Sequence, residues 1–211
     1  MSFTKPVIAS ALVLASGFLL SACGGGGSSD ASRDDGAATG CTATVVGSVQ
    51  SFNLGTTAPP TSMGGYTMQA FDQTAQNAVA NFANVTTIPG SPIGGNLTLA
   101  ASATKRTVPG GGWATWSHSY TGVVYYTAST TNTLTLPAGT AAFYLYAEPN
   151  SGTVAITATT DSGASSGPIS VVGTSGANGF GFAAPCGSTI STITVTQASS
   201  DFAIGEFGIA Q

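Results

Sequence analysis

Residues 140–160 read TAAFYLYAEPNSGTVAITATT, and their period decides the fold class. In an extended chain, successive side chains point to opposite faces. Phe143 and Leu145 therefore share one face, and Tyr144, Tyr146 and Glu148 share the other. Pro149-Asn150-Ser151-Gly152 is a turn signal, after which 153–160 alternates again. Outward from this stretch the same pattern recurs in NLTLAA (96–101), TNTLTL (131–136), STISTITVT (188–196) and DFAIGEFGIA (201–210). Leu134 and Leu136 share a face, as do Phe202 and Ile204. Shorter extended runs fall at 42–49, 113–127, 168–172 and 179–184. Pro137-Ala138-Gly139, Asp161-Ser162-Gly163 and the glycine-bounded segment 173–176 punctuate them. Strands at roughly 8–12-residue spacing with short turns predict a mainly β chain folded as an antiparallel sandwich or barrel.

One segment departs from this period. Phe71, Ala75, Ala78, Val79 and Phe82 recur at near-helical spacing, so one short helix is expected within 69–82.

Charge narrows the functional classes. The chain has 4 Lys plus Arg against 8 Asp plus Glu, a net charge of -4, and only 6% charged residues; about 25% is usual. So few cations cannot neutralise a run of phosphates, which excludes nucleic acid as a partner. A polybasic membrane patch is excluded for the same reason. One histidine and three cysteines cannot build a multi-His or Cys-rich metal centre.

The N-terminus reads as an address. Lys5 precedes a mostly apolar stretch from Val7 to Leu20, followed by small residues, which is the layout of a secretory signal peptide over 1–22. The end of that segment, Leu20-Ser21-Ala22-Cys23, resembles the lipobox of bacterial lipoproteins. The resemblance implies cleavage before Cys23, acylation of its sulfur and anchoring of the protein to the cell envelope. Gly24 in the following position implies the outer membrane if the host is Gram-negative. Several acyl chains hold firmly where one does not. Residues 24–40, GGGGSSDASRDDGAATG, can bury no apolar surface and form a flexible tether. Residues 41–211 then form one β domain.

Export delivers the chain to a compartment where disulfides form. With Cys23 acylated, Cys41 and Cys186 are left, and a disulfide between them is expected; two thiols that never meet are the alternative.

The stretch from Trp113 to Ala210 resembles a module of exported bacterial proteins. The likeness lies in GGWATWSHSYTGVVYYT (111–127), LPAGTAAFYLYAEPN (136–150), GPISVVGTSGANGFGFA (167–183) and SSDFAIGEFGIA (199–210). It implies a jelly-roll-like β-sandwich without an established enzymatic activity.

Several constellations could carry chemistry. Gly163 to Gly167 matches the G-x-S-x-G string, but strands flank it and the one histidine precedes it, so a hairpin loop is expected. Asp72, His118 and Ser165 could make a triad in another order. Glu148 and Glu206 are the two glutamates a glycosidase would need across a cleft. No cofactor is expected. A structural calcium ion, common in jelly-roll modules, would draw on Asp201, Glu206 and Glu148. The aromatics are the stronger lead. If the Phe143 face is core, Tyr144, Tyr146 and Glu148 form an outer platform that, with Trp116 and His118, suits a sugar ring; core packing is the alternative for these rings. The functional expectation is a lipid-anchored, surface or periplasmic, non-catalytic module for adhesion, glycan binding or envelope scaffolding. The alternative is a secreted hydrolase using His118 with an aspartate or Glu148.

Overall fold

The computed structural model describes residues 43–199 and 201–211. The signal segment 1–22, Cys23, the tether 24–40 and Cys41 lie outside the described residues. Within them the chain runs through β1 (Gln50–Gly55), β2 (Ser62–Met63), β3 (Tyr66–Thr67), β4 (Gln69–Ala70), α1 (Gln73–Asn77), β5 (Asn84–Ile88) and β6 (Leu97–Val108). A one-turn 3-10 segment, Ser117–Ser119, precedes β7 (Gly122–Thr127), β8 (Thr131–Thr135), β9 (Ala142–Pro149) and β10 (Thr153–Thr160). The last strands are β11 (Ile169–Val172), β12 (Asn178–Ala183), β13 (Thr192–Gln197) and β14 (Phe202–Ala210). The fold is mainly β and antiparallel, as the period-2 pattern predicts.

One curled sheet has the order β1-β12-β9-β14-β7-β6-β8-β13-β10-β11, with β4 beside β14 and β5 beside β6; β2 and β3 form a separate hairpin. The long strand β6 turns the corner. Along one edge its first residues pair with β8 (Thr98↔Thr135, Leu99↔Leu134) and its last with β7 (Thr104↔Tyr126 to Val108↔Gly122). The sheet therefore divides at β6 into a front half (β1, β12, β9, β14, β7) and a back half (β8, β13, β10, β11). The two halves face each other across a core. Phe143 and Leu145 of β9 and Phe180 and Phe182 of β12 meet Leu134, Ile156, Ile193 and Val195 of the back half, all fully buried. Burying each such side chain stabilises the fold by about 1.5–3 kcal/mol.

The halves differ on their outer faces. In β10, Val154, Ile156 and Ala158 are buried while Thr153 and Ala155 are exposed. In β9, β12 and β14 every residue is buried. A second apolar layer covers the front half from outside. The β2–β3 hairpin brings Met63 and Tyr66, and the loop after β6 brings Trp113 and Trp116, onto Tyr144 and Tyr146.

The expected helix over 69–82 shrinks to the single turn α1, whose N-cap Asp72 accepts from the Thr74 amide at 2.8 Å. Gln69 and Ala70 instead form β4, paired with Ile209 and Gly208 of β14. Phe71 enters the core edge-on to Phe143, 6.2 Å between centroids. Phe82 leaves the helical face altogether. Its amide donates to the Lys105 carbonyl at 2.9 Å, its φ is +67°, and the residue is 56% exposed. A short helix is marginal alone, so pairing with β14 and β6 at its two ends overrides the periodicity.

Candidate functional site

The segment between β6 and β7 crosses the outer face of β9 and β14 and is fastened there by two carboxylates. Glu148 lies at the end of β9, fully buried, on the same face as Tyr144 and Tyr146. Its Oε2 accepts from Trp113 Nε1 at 2.9 Å and its Oε1 from Thr115 Oγ1 at 2.7 Å. Burial raises its carboxyl above the usual range, opposed by the hydrogen bonds from Trp113, Thr115 and the Gly176 backbone.

The second carboxylate is Glu206 of β14. Trp116 Nε1 donates to its Oε2 at 3.1 Å, and His118 Nε2 lies 2.9 Å from each of its oxygens. Burial raises this carboxyl too, with the His118 hydrogen bond and charge pulling it down.

How a glutamate stands in β14 is legible in DFAIGEFGIA. Strict alternation from Phe202 and Ile204 would send Glu206 into the core and Phe207 out of it. The pairing with β9 shifts between Gly205↔Tyr146 and Gly208↔Tyr144, so two residues of β14 oppose Leu145 alone. This bulge returns Phe207 and Ile209 to the core and turns Glu206 outward. Glu206 occupies the left-handed region (φ +54°), a position glycine normally fills, and so does its partner His118 (φ +41°). Backbone strain in two paired ionisable residues marks a constrained cluster.

The tyrosines complete this layer. Tyr144 lies across Gly208 and Tyr146 across Gly179. A Cβ on either glycine would fall within 2.1 Å and 2.7 Å of the respective ring. Tyr146 is fully buried and donates to the Thr57 carbonyl at 2.7 Å, with His118 edge-on 5.7 Å away. Tyr144 is 3% exposed, its hydroxyl pushed up to about 12 by burial and then by the Glu206 charge.

The expected sugar platform is therefore corrected. Tyr144, Tyr146 and Glu148 do face away from the aliphatic core, but the β2–β3 hairpin and the β6–β7 loop cover them. Trp116 is buried as well, and of the five candidates only His118 is partly open, its side chain 18% exposed. Tyr144 and Glu206 reach a cleft of about 300 Å³ beside Pro60, Met68 and Gln73. More open are two neighbouring furrows. One, of about 500 Å³, lies between Gly112, Trp113, Thr115, Asn150 and Gly173. The other, of about 410 Å³, shares Thr115 and extends past Trp116 and Tyr120 to Ser175.

The remaining constellations stay apart. Asp72 caps α1, His118 pairs with Glu206, and Ser165 lies in the β10–β11 hairpin loop, where its hydroxyl accepts from the Gly167 amide at 3.1 Å. Asp201 accepts from Tyr126 and Asn150 while the two glutamates hold the tryptophans. No three His, Cys, Asp or Glu side chains gather around one point among the described residues. Sequence reasoning missed Glu206 as the partner of His118; the broken alternation at Gly205-Glu206 was the available signal. No family model, curated protein or solved structure matches the chain.

Proposed function

We propose that this chain is an exported, lipid-anchored, non-catalytic β-sandwich module that binds glycan at the cell envelope. The observation that carries the non-catalytic reading is the use of both glutamates. Each carboxylate that acid–base chemistry would need is filled by donors from the β6–β7 loop. What is left to the surface is almost uncharged. Of the charged side chains in the domain, Lys105, Glu148 and Glu206 are buried, leaving Asp72, Arg106, Asp161 and Asp201 at least partly open. Threonine, serine, asparagine and bare backbone line the furrows instead, which suits a hydroxyl-rich ligand. The signal segment, the lipobox-like Leu20-Ser21-Ala22-Cys23 and the tether support export and anchoring at Cys23. A Cys41–Cys186 disulfide would tie the start of the domain to the β12–β13 turn.

Two measurements test this reading. Fatty-acid labelling in a bacterial host should mark the wild type and not Cys23→Ala. A glycan array probed with the full chain should return saccharide ligands. Labelling that survives the substitution removes the anchor, and a blank array removes the glycan role. The hydrolase alternative has one observation in its favour, the 2.9 Å contact of His118 with Glu206. It requires that His118→Ala abolish a hydrolytic activity, so a substrate screen without any such activity ends it.

A further inference from the structure

The two open furrows beside the β6–β7 loop meet at Ala114 and Thr115, which line both. Among the described residues, no charged side chain lines either furrow. The ionic groups nearby are engaged elsewhere. Glu148 accepts from Trp113 and Thr115, and Asp201 from Tyr126 and Asn150. Arg106 packs on the Phe82 and Tyr126 rings, its central carbon 4.8 Å and 5.4 Å from their centroids.

The smaller furrow carries hydroxyls that the fold does not use. Ser119 and Thr121 come from the β6–β7 loop, Thr174 and Ser175 from the β11–β12 turn, and all four residues are exposed. None of these hydroxyls has a hydrogen-bond partner among the described residues. The two segments are packed together at Gly176 (φ +120°), where a Cβ would lie 3.0 Å from Ser117 Cα. Ser119 is held at φ +62°, a strained position for a residue other than glycine. The aromatic walls are fixed as well. Trp113 lines the larger furrow and Trp116 the smaller. Each indole N–H is tied to a buried glutamate, Trp113 to Glu148 at 2.9 Å and Trp116 to Glu206 at 3.1 Å.

We infer that the two furrows form one groove for a neutral, linear oligosaccharide that crosses between them over Ala114. The inference rests on the glycan-binding reading and names the class of glycan. A hydroxyl both donates and accepts, so unclaimed hydroxyls match those of a sugar without selecting for charge. An acidic saccharide would bring a carboxylate to a groove with no cation to receive it, and would lose hydration there. The furrows, of about 500 and 410 Å³, each have the volume of a whole ligand site. A chain that fills both therefore has several sugar residues. The pinned indoles shape the groove before the ligand arrives, which lowers the ordering cost of binding.

The test is a calorimetric titration of the full-length protein in detergent with linear oligomers of glucose, mannose, N-acetylglucosamine and a hexuronate, each as a disaccharide and a tetrasaccharide. In at least one neutral series the tetrasaccharide should bind at least tenfold more tightly than the disaccharide. Ala114→Trp, at an exposed position where the furrows meet, should remove that gain. Thr174→Val, which keeps the shape and deletes one unclaimed hydroxyl, should weaken the tetrasaccharide severalfold, with urea midpoints confirming that both variants are folded. An affinity that stops rising at the disaccharide, a gain that survives both substitutions, or tighter binding of the hexuronate overturns the inference. The wild-type series needs no variant. If saccharides bind without the gain in length, or acidic ones bind best, this inference fails alone; if no saccharide binds at all, the glycan reading fails with it.

Discussion

β9 and β10 are consecutive, equally long and built on the same alternation, yet they end in different surroundings. β10 has one dry face and one wet one, and its outer threonines meet water. β9 is dry on both faces, because the hairpin and the loop outside it bury Tyr144, Tyr146 and Glu148 as completely as the core buries Phe143 and Leu145. Alternation assigns residues to faces, but it does not say which faces stay open. A tyrosine and a threonine on the outer face look alike to the period. The tyrosine offers far more apolar area for a neighbouring segment to cover, and two glutamates then lock that segment down.

The largest effect should come from breaking the covered face. Tyr146→Ala should cost about 3–5 kcal/mol in urea unfolding, the range for emptying a large buried site. Thr157→Ala, on the outer face of β10, should stay within about 0.5 kcal/mol. Comparable losses at the two positions would mean that the outer faces do not differ.

Next comes the fastening itself. Thr115→Val removes one donor to a buried carboxylate and should cost about 1.5–3 kcal/mol. A loss near zero would show water taking the place of the hydroxyl.

The third test separates the two glutamates. Deleting Glu206 removes the extra residue of the bulge and leaves Phe207 and Ile209 facing the core through simple alternation. Relief of a left-handed residue is worth about 1–2 kcal/mol, and stranding the Trp116 donor costs about 1–3 kcal/mol. The net change should stay within about 2 kcal/mol. Hydrogen exchange should keep Phe207 and Ile209 protected while the β6–β7 loop on the outer face of β14 loosens. Loss of that protection would mean that the bulge sets the register.

The smallest signal is a drift with pH. Both glutamate carboxyls are raised in the folded chain from an ordinary value of 4.5. The native state therefore retains protons that the unfolded chain has released. The stabilisation is complete below pH 4.5 and is lost as pH rises through the folded values. Urea midpoints should fall across that window, and Glu148→Gln should flatten the fall. A midpoint that rises with pH would contradict the burial of these carboxyls.

Much of the fold was legible before any coordinates. The runs around Leu134, Phe143, Ile156 and Phe202 all became strands, and the split between Phe143 with Leu145 and Tyr144 with Tyr146 was right. The helix was overread because Phe71 and Phe82 fit a helical period while each answered to a different strand. Of the site, His118, Trp116 and Glu148 were picked out but not their partners. Glu206 lies 88 residues beyond His118, and no local pattern spans that separation. The Phe82–Arg106–Tyr126 stack was invisible for the same reason, since three segments meet there.

What the amino-acid order determined alone is the strand content, the faces and the near absence of charge, because these depend on neighbours within a few residues of backbone. Tertiary structure alone decided which face is covered, which glutamate meets the histidine and which rings stack on Arg106. Those outcomes depend on how the sheet folds over at β6 and on the loop that must then satisfy its buried polar groups.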